Sequence, residues 1–322
     1  MTYEEQLLTL ALADERIVVM TAENRAAIRN LPEKLGDRFI DVGIAEMTMV
    51  GAAAGLALRG RKPIIHALAT FLTLRAFEFI RDDIGIAELP VIIVGGVPGF
   101  LSDANGPTHQ AIEDISLMRG IPGINIFCPA DGEELAEALP HLFASNEPWY
   151  VRYYAGAPTR EHVTKFEIGK AEVYRSSKGT EDEVDVTIFT YGFLLGEAVK
   201  AQDILHAAGI STDVVNLRTL VPIDEFAILD GAERSQLVVT LEDHFKIGGL
   251  YSIIAELFQR DGMVTEVLPI ALDGKWFKPA LLNDVLQYEG FTAEQIVEKI
   301  RSRLAEVEIN DDSMFGDYLS LN

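Results

Sequence analysis

Residues 37–68 read DRFIDVGIAEMTMVGAAAGLALRGRKPIIHAL, and their reading sets the fold. DRFIDVG (37–43) is a short apolar run of strand length. It leads into a run of small and apolar residues from Glu46 to Leu58, long enough for a helix. KPIIHAL (62–68) is a second strand-like run, rich in Ile. Short buried strands alternating with helices indicate a mostly parallel sheet covered on both faces. Glu46 sits at the junction of strand and helix, and a carboxylate among apolar groups needs a partner.

The alternation continues outward. YEEQLLTLALAD (3–14) has helical spacing, and RIVVMTA (16–22), LPVIIVGG (89–96), INIFCP (124–129) and WYVRYY (149–154) read as buried strands. A polar stretch follows, APTREHVTKFEIGKAEVYRSSKGTEDEVD (157–185), with SSKGTEDE (176–183) expected as an exposed turn. The pattern then restarts with VDVTIFTYG (184–192), a helix at 196–209, ISTDVVNLRTL (210–220), QLVVTLEDH (236–244) and a helix at 249–262. The expected fold class is therefore α/β, as two three-layer domains with mostly parallel sheets. They span 1–158 and 184–322, with a linker at 159–183. The polar C-terminal residues INDDSMFGDYLSLN (309–322) are expected to be loosely held.

The 322 residues are 48% hydrophobic and 24% charged, as in a soluble globular protein. The net charge of −23 would repel phosphate backbones and anionic lipid, so nucleic acid and membrane are poor partners. A small anionic substrate stays open, because a local Arg outweighs a distant field. The single cysteine, Cys128, reads as a small buried hydrophobe, and no disulfide framework exists. The N-terminal residues lack the basic region and apolar core of a signal peptide, and no run approaches a membrane span. The expected location is cytoplasmic.

No G-x-G-x-x-G after a strand, no P-loop and no zinc spacing is present. Gly248-Gly249 in HFKIGGLYS (244–252) serves close packing or an anion site at a helix N-terminus. More informative are three stretches: VGIAEMTMVGAAAGLALRG (42–60), ATFLTLRAFEFIRDD (69–83) and SDANGPTHQAIEDISLMRGIPGINIFCPAD (102–131). Through these motifs, and through VVNLRTLVPID (214–224) and LEDHFKIGG (241–249), nearly the whole chain resembles the transketolase family of thiamine diphosphate enzymes. G-P-T-H-Q with the downstream M-R-x-I-P and P-A-D carries the specificity of the match.

The resemblance implies a pyrimidine-binding domain followed by the transketolase C-terminal domain. It implies that Glu46 hydrogen-bonds N1′ of the cofactor's aminopyrimidine and so favours the tautomer that deprotonates C2 of the thiazolium, while the cofactor carries the hard chemistry. From its residues alone, Glu46 is equally a helix N-terminal acid favoured by the dipole. Ile44, Phe71, Leu74 and Phe77 match the surroundings of the aminopyrimidine. Phe71, Leu74 and Phe77 also fall near one helical face, the usual mark of a core stripe. Leu74 stands where the family often has a stacking aromatic. His109 is the expected catalytic histidine, meeting substrate hydroxyls or an oxyanion. Asn105 replaces a usual aspartate that reads the donor's hydroxyl. Arg152 matches an arginine that grips a terminal phosphate. Another such arginine is missing near the N-terminus, where Arg25 or Arg29 is a substitute or simply surface. A usual histidine aligns near Val97. His244 lines the interdomain surface or caps a strand end.

The resemblance further implies a partner. The family's diphosphate-binding domain holds Mg²⁺ (or Ca²⁺) through a G-D-G…N element, and this sequence has none, so no metal is expected on this chain. The expected function is the C-terminal (β) subunit of a split transketolase, moving a two-carbon ketol unit from a ketose to an aldehyde. Its expected form is an α₂β₂ heterotetramer, inactive without the partner. The alternatives are a 1-deoxyxylulose-phosphate synthase-like subunit, a 2-oxo acid dehydrogenase E1β-like subunit and a non-catalytic, partner-binding paralogue.

Overall fold

The computed structural model describes residues 1–176 and 183–319, with backbone alone for Asp103 and 308–319. The SSKGTEDE turn therefore lies outside the described residues except at its two ends.

The strands are β1 (Ile17–Thr21), β2 (Phe39–Asp41), β3 (Lys62–Leu68), β4 (Ile92–Gly96), β5 (Asn125–Phe127), β6 (Trp149–Arg152), β7 (Glu172–Tyr174), β8 (Val184–Thr190), β9 (Thr212–Asn216), β10 (Thr219–Val221), β11 (Ser235–Phe245) and β12 (Glu266–Leu272). The helices are α1 (Tyr3–Ala13), α2 (Pro32–Leu35), α3 (Glu46–Leu58), α4 (Phe77–Phe79), α5 (Asp114–Met118), α6 (Gly132–Ser145), α7 (Leu195–Ala207), α8 (Glu225–Glu233), α9 (Leu250–Asp261), α10 (Leu282–Glu289) and α11 (Ala293–Leu319). The C-terminal segment expected to be loose continues α11 as helix to Leu319. Among the described residues no helix is long and apolar enough to cross a membrane.

Two sheets form. The first has the order β10-β5-β6-β4-β3-β1-β2 and the second β12-β11-β8-β9-β7. Within each the ladders are parallel, as the alternation predicts, except β10 on β5 and β7 on β9. The segment expected as a linker thus contributes β7, whose Val173 stands opposite Val215. β10 comes from the second half of the chain but completes the edge of the first sheet, with Thr219 opposite Phe127.

Successive strand residues face opposite sides of a sheet, and the cores follow this period. Ile17, Val19, Ile64 and Ile92 pack under α1 and α6. Val18, Met20, Ile65 and Ile93 face α3, in a core that continues to Phe189, Val215 and Val238 of the second sheet and to α8 and α9. The far face of the second sheet, with Val186, Ile188 and Val239, is covered by α7, α10 and α11. One core is therefore shared by the two halves.

Ligands of parallel sheets bind beyond the carboxyl ends of the strands. Beyond β1, β2, β3 and β4 lie Ala22–Asn24, Val42–Glu46, Ala69–Phe71 and Val97 onward.

Candidate active site

Glu46 is the first residue of α3 and is only 2% exposed. Its N-terminal position suits an anion, because the unpaired amides of the first turn carry positive charge. With Ala22, Glu23, Asn24, Ile44, Leu68 and Phe71 it lines a cavity of about 370 Å³. Oε2 accepts a hydrogen bond from Nη1 of Arg75 at 2.9 Å, and Oε1 has none among the described residues. The Arg75 guanidinium also stands over the Phe71 ring, its carbon 4.2 Å from the centroid. On Phe71's other contact the ring meets the imidazole of His109, centroids 5.1 Å apart. Glu46, Arg75, Phe71 and His109 thus form one continuous row.

Arg75 had escaped the sequence reading. Its signal was the orphan acid itself: a buried carboxylate calls for a cation, and ATFLTLRAF offers one between the aromatics. Its position depends on a π-helical turn, Phe71–Arg75, in which Ala76 N–H bonds Phe71 C=O at 3.1 Å. A widened turn also breaks the single helical face expected for 71, 74 and 77. Phe71 lines the cavity, Leu74 is exposed, and Phe77 packs on the core shared by the two halves. Ile44 lines the cavity and is 71% exposed.

His109 closes a 3₁₀ turn, Pro107–His109, and its Nδ1 lies 3.0 Å from Thr108 Oγ1. Nε2 makes no hydrogen bond among the described residues. Asn105 ends the preceding 3₁₀ segment, exposed, its Nδ2 donating to Ser102 C=O at 3.1 Å. That segment is anchored by Phe100 against Phe277 and Phe291 of the second half. Two strand ends at the site hold side chains at positive φ, Glu23 at 63° and Val97 at 48°. For a β-branched residue this conformation is strained, and such strain clusters at functional sites.

Arg152 lies elsewhere in character. It is buried, its Nε donates to Asp114 at 2.9 Å, and Nη1 pairs with Asp243. Tyr150 donates to the same Asp114 oxygen at 2.7 Å. Burial pushes the Asp243 carboxyl up, against the pull of Arg152. The guanidinium is therefore committed to two internal carboxylates, across the junction of the halves. Arg25 pairs with Asp41, and with Arg29 it lines a separate cavity of about 700 Å³ that also holds Glu4, Glu5 and Glu33.

Gly248-Gly249 serves close packing. A Cβ on Gly249 would fall 2.1 Å from Glu242 Oε2. The anion at the N-terminus of α9 is Glu242 itself, accepting from Leu250 N–H at 2.6 Å and Tyr251 N–H at 2.9 Å. His244 is buried at the junction, where its Nε2 accepts from Ser116 N–H at 3.3 Å. Cys128 is buried, and burial pushes its thiol well up. Among the described residues one His–acid group has ligand-like spacing, Glu134, His162 and Glu172. Arg218 already supplies its cation, 2.7 Å from Glu134 and 3.1 Å from Glu172.

Residues 1–157 match the model of the transketolase pyrimidine-binding domain, and 176–296 that of the transketolase C-terminal domain. The 6-deoxy-6-sulfo-D-fructose transketolase subunit SqwH of Clostridium sp. (strain MSTE9) is 36% identical over 303 residues, 92% of this chain and 91% of the relative. The chain belongs to the transketolase family.

Among solved structures, a split-gene transketolase described as an inactive β4 tetramer superposes with a TM-score of 0.83 at 31% identity, covering 94% of this chain and 97% of that one. The 1-deoxy-D-xylulose-5-phosphate synthase of Dictyoglomus thermophilum (strain ATCC 35947 / DSM 3960 / H-6-12) is 35% identical over 284 residues. That match takes in 86% of this chain but only 44% of the synthase.

Transketolases depend on thiamine diphosphate, and the residues present fit its aminopyrimidine half. Glu46 offers an oxygen with no hydrogen bond beside an aromatic wall, the two groups a flat heterocycle with a basic nitrogen needs. Gly96 leaves room for the cavity-lining Asn24, since a Cβ there would lie 2.8 Å from Asn24 Nδ2.

Proposed function

We propose that this chain is the C-terminal-type subunit of a split transketolase, moving a two-carbon ketol unit from a ketose donor to an aldehyde acceptor in carbohydrate metabolism. The observation that carries this is the pairing of buried Glu46 with Phe71 in the lining of one cavity, with the His109 imidazole against the Phe71 ring. Support comes from two relatives matched over nearly their whole length, one a transketolase subunit and the other a split-gene transketolase. A separate subunit with the G-D-G…N element completes the enzyme, holds Mg²⁺ or Ca²⁺ with the diphosphate, and forms an α₂β₂ assembly in the cytoplasm. The pyrimidine-binding half is 1–158 and the C-terminal half 184–322. Between them 159–183 links the two, although β7 already belongs to the second sheet.

Bound at this cavity, thiamine diphosphate supplies the carbanion-stabilising chemistry of ketol transfer. Glu46 Oε1 would hold or share a proton with the ring nitrogen. Ile44 and Phe71, which line the cavity, would pack on the ring, and exposed Leu74 would be available beside it. Thr108 occupies Nδ1 of His109 and so leaves Nε2 for protons at the substrate's hydroxyl or oxyanion. Asn105 both donates to and accepts from a substrate hydroxyl, which a carboxylate does not. Arg152, held by Asp114 and Asp243, takes no part in gripping substrate.

A synthase-type reaction with pyruvate is the second reading, favoured by the 35% identity to the Dictyoglomus enzyme. A donor screen separates the two: fructose 6-phosphate and 6-deoxy-6-sulfo-D-fructose against pyruvate. The decisive test is assay of the chain with and without a co-purifying subunit that bears G-D-G…N. Turnover is expected only in the complex, and Glu46→Ala lowers it by about 100-fold or more. Thiamine-dependent turnover by the chain alone overturns the split reading, and activity that survives Glu46→Ala overturns the role of Glu46.

A further inference from the structure

We propose that Arg75 is a stand-in for the cofactor's ring, holding one oxygen of Glu46 and covering Phe71 in the chain alone, and that it must give up the Phe71 face, and with it its hold on Glu46 Oε2, for thiamine diphosphate to bind. The inference rests on the reading of the cavity as the aminopyrimidine site. A guanidinium is flat, donates N–H bonds and stacks on aromatic faces. Arg75 uses both properties on two residues that line the cavity. Nη1 donates to Glu46 at 2.9 Å, and the guanidinium carbon stands 4.2 Å from the centre of the Phe71 ring. An aminopyrimidine would need the same acid and the same ring.

The rest of the geometry fits a group that can depart. Arg75 is 43% exposed on its side chain whereas Glu46 is 3%. Among the described residues Glu46 is its only ion-pair partner. Arg75 sits at the end of a π-helical turn, a deformable element often found at functional sites. Solvent can receive the arginine at little cost. Glu46 cannot be left bare, because a buried carboxylate without a partner is strongly unfavourable. Arg75 therefore keeps the cofactor-free chain stable and raises the threshold for cofactor entry. A ligand that must displace an internal group binds more weakly by the strength of that group's hold.

The test is the dissociation constant of thiamine diphosphate, with Mg²⁺ present, for the full chain assembled with its partner subunit. It is read by calorimetry rather than turnover. Arg75→Ala is expected to bind about tenfold more tightly than wild type. Its cofactor-free form is expected to melt at a lower temperature, with a larger rise on binding. In a Glu46→Ala background, Arg75→Ala is expected to change affinity by less than it does in the Glu46 chain, since only the contact with the Phe71 ring remains to be displaced. Equal or weaker binding by Arg75→Ala in the Glu46 chain overturns the inference. Loss of binding in Glu46→Ala with no gain in Arg75→Ala sinks Arg75 alone. Unchanged binding in Glu46→Ala removes the cofactor reading and the inference with it.

Discussion

The ring of Phe71 meets the imidazole of His109 edge-on, with centroids 5.1 Å apart and planes at 69°. The contact ties the π-helical turn after β3 to the G-P-T-H-Q loop. It places the proposed proton-handling group beside the proposed cofactor wall. An edge-to-face pair of this kind contributes about 0.5–1.5 kcal/mol beyond the area it buries.

Phe71→Ala is therefore expected to act on two quantities together. In the assembled enzyme, cofactor affinity falls about tenfold, because a cavity wall is lost. Turnover at saturating cofactor also falls, because His109 loses its support. Phe71→Leu should restore most of the affinity and little of the turnover. Titration of cofactor for the three proteins, with kcat measured at saturation, checks this; equal kcat in all three would separate His109 from Phe71.

Arg152→Met leaves Asp114 and Asp243 buried without their cation. Removing one partner of a buried ionic group costs about 3–5 kcal/mol, so urea unfolding should shift by that order. The neighbouring Gly99 shows how closely the site is built. Its φ is +55°, and a Cβ there would lie 1.7 Å from Asp243 Oδ2. A substrate-gripping role for Arg152 would instead leave stability intact and raise KM.

Much of this architecture was legible because it is local. The apolar runs of β1, β3, β4 and β8 have strand length and little charge, which is what a sheet buried on both faces requires. The need of Glu46 for a partner was also plain from its neighbours. Other features depend on contacts that no short window contains. β10 is three residues long and pairs with β5 from about ninety positions away. Arg152 reads as an anion grip until positions 114 and 243 fold against it. The π-helical turn that carries Arg75 back to Glu46 leaves no periodic signature in five residues.

Gly249→Ala tests the packing reading of the double glycine. The added methyl would fall 2.1 Å from Glu242 Oε2 and 2.6 Å from His244 Nδ1, both buried. It must push Glu242 off the amides of Leu250 and Tyr251 or displace α9. Overpacking of this kind costs about 1–3 kcal/mol. A lowered melting temperature, with cofactor affinity unchanged in whatever complex remains folded, is the expected result. A selective loss of anion binding without loss of stability would restore the anion-site reading.

His162 gives the stability a pH dependence with a definite sign. Its Nε2 lies 2.9 Å from Asp131 Oδ2 and its Nδ1 2.8 Å from Glu172 Oε2. These two hydrogen bonds raise its pKa to about 10, against the opposing effect of burial. The folded chain thus keeps a proton that the unfolded chain releases near 6.5. The stabilisation is complete below about pH 6.5 and is lost as pH rises toward 10. At the acid end the sign reverses: Glu172 is held down at about 2 by His162 and Arg218 despite burial. Its contribution is present above the ordinary carboxylate range and is lost as pH falls through 2. The three side chains titrate as a group, so the measurement is a comparison. Unfolding free energies of wild type and His162→Gln should differ most near pH 6 and converge toward pH 10. A difference that grows with pH would mean that the histidine is neutral in the folded chain and that Arg218 alone balances the carboxylates.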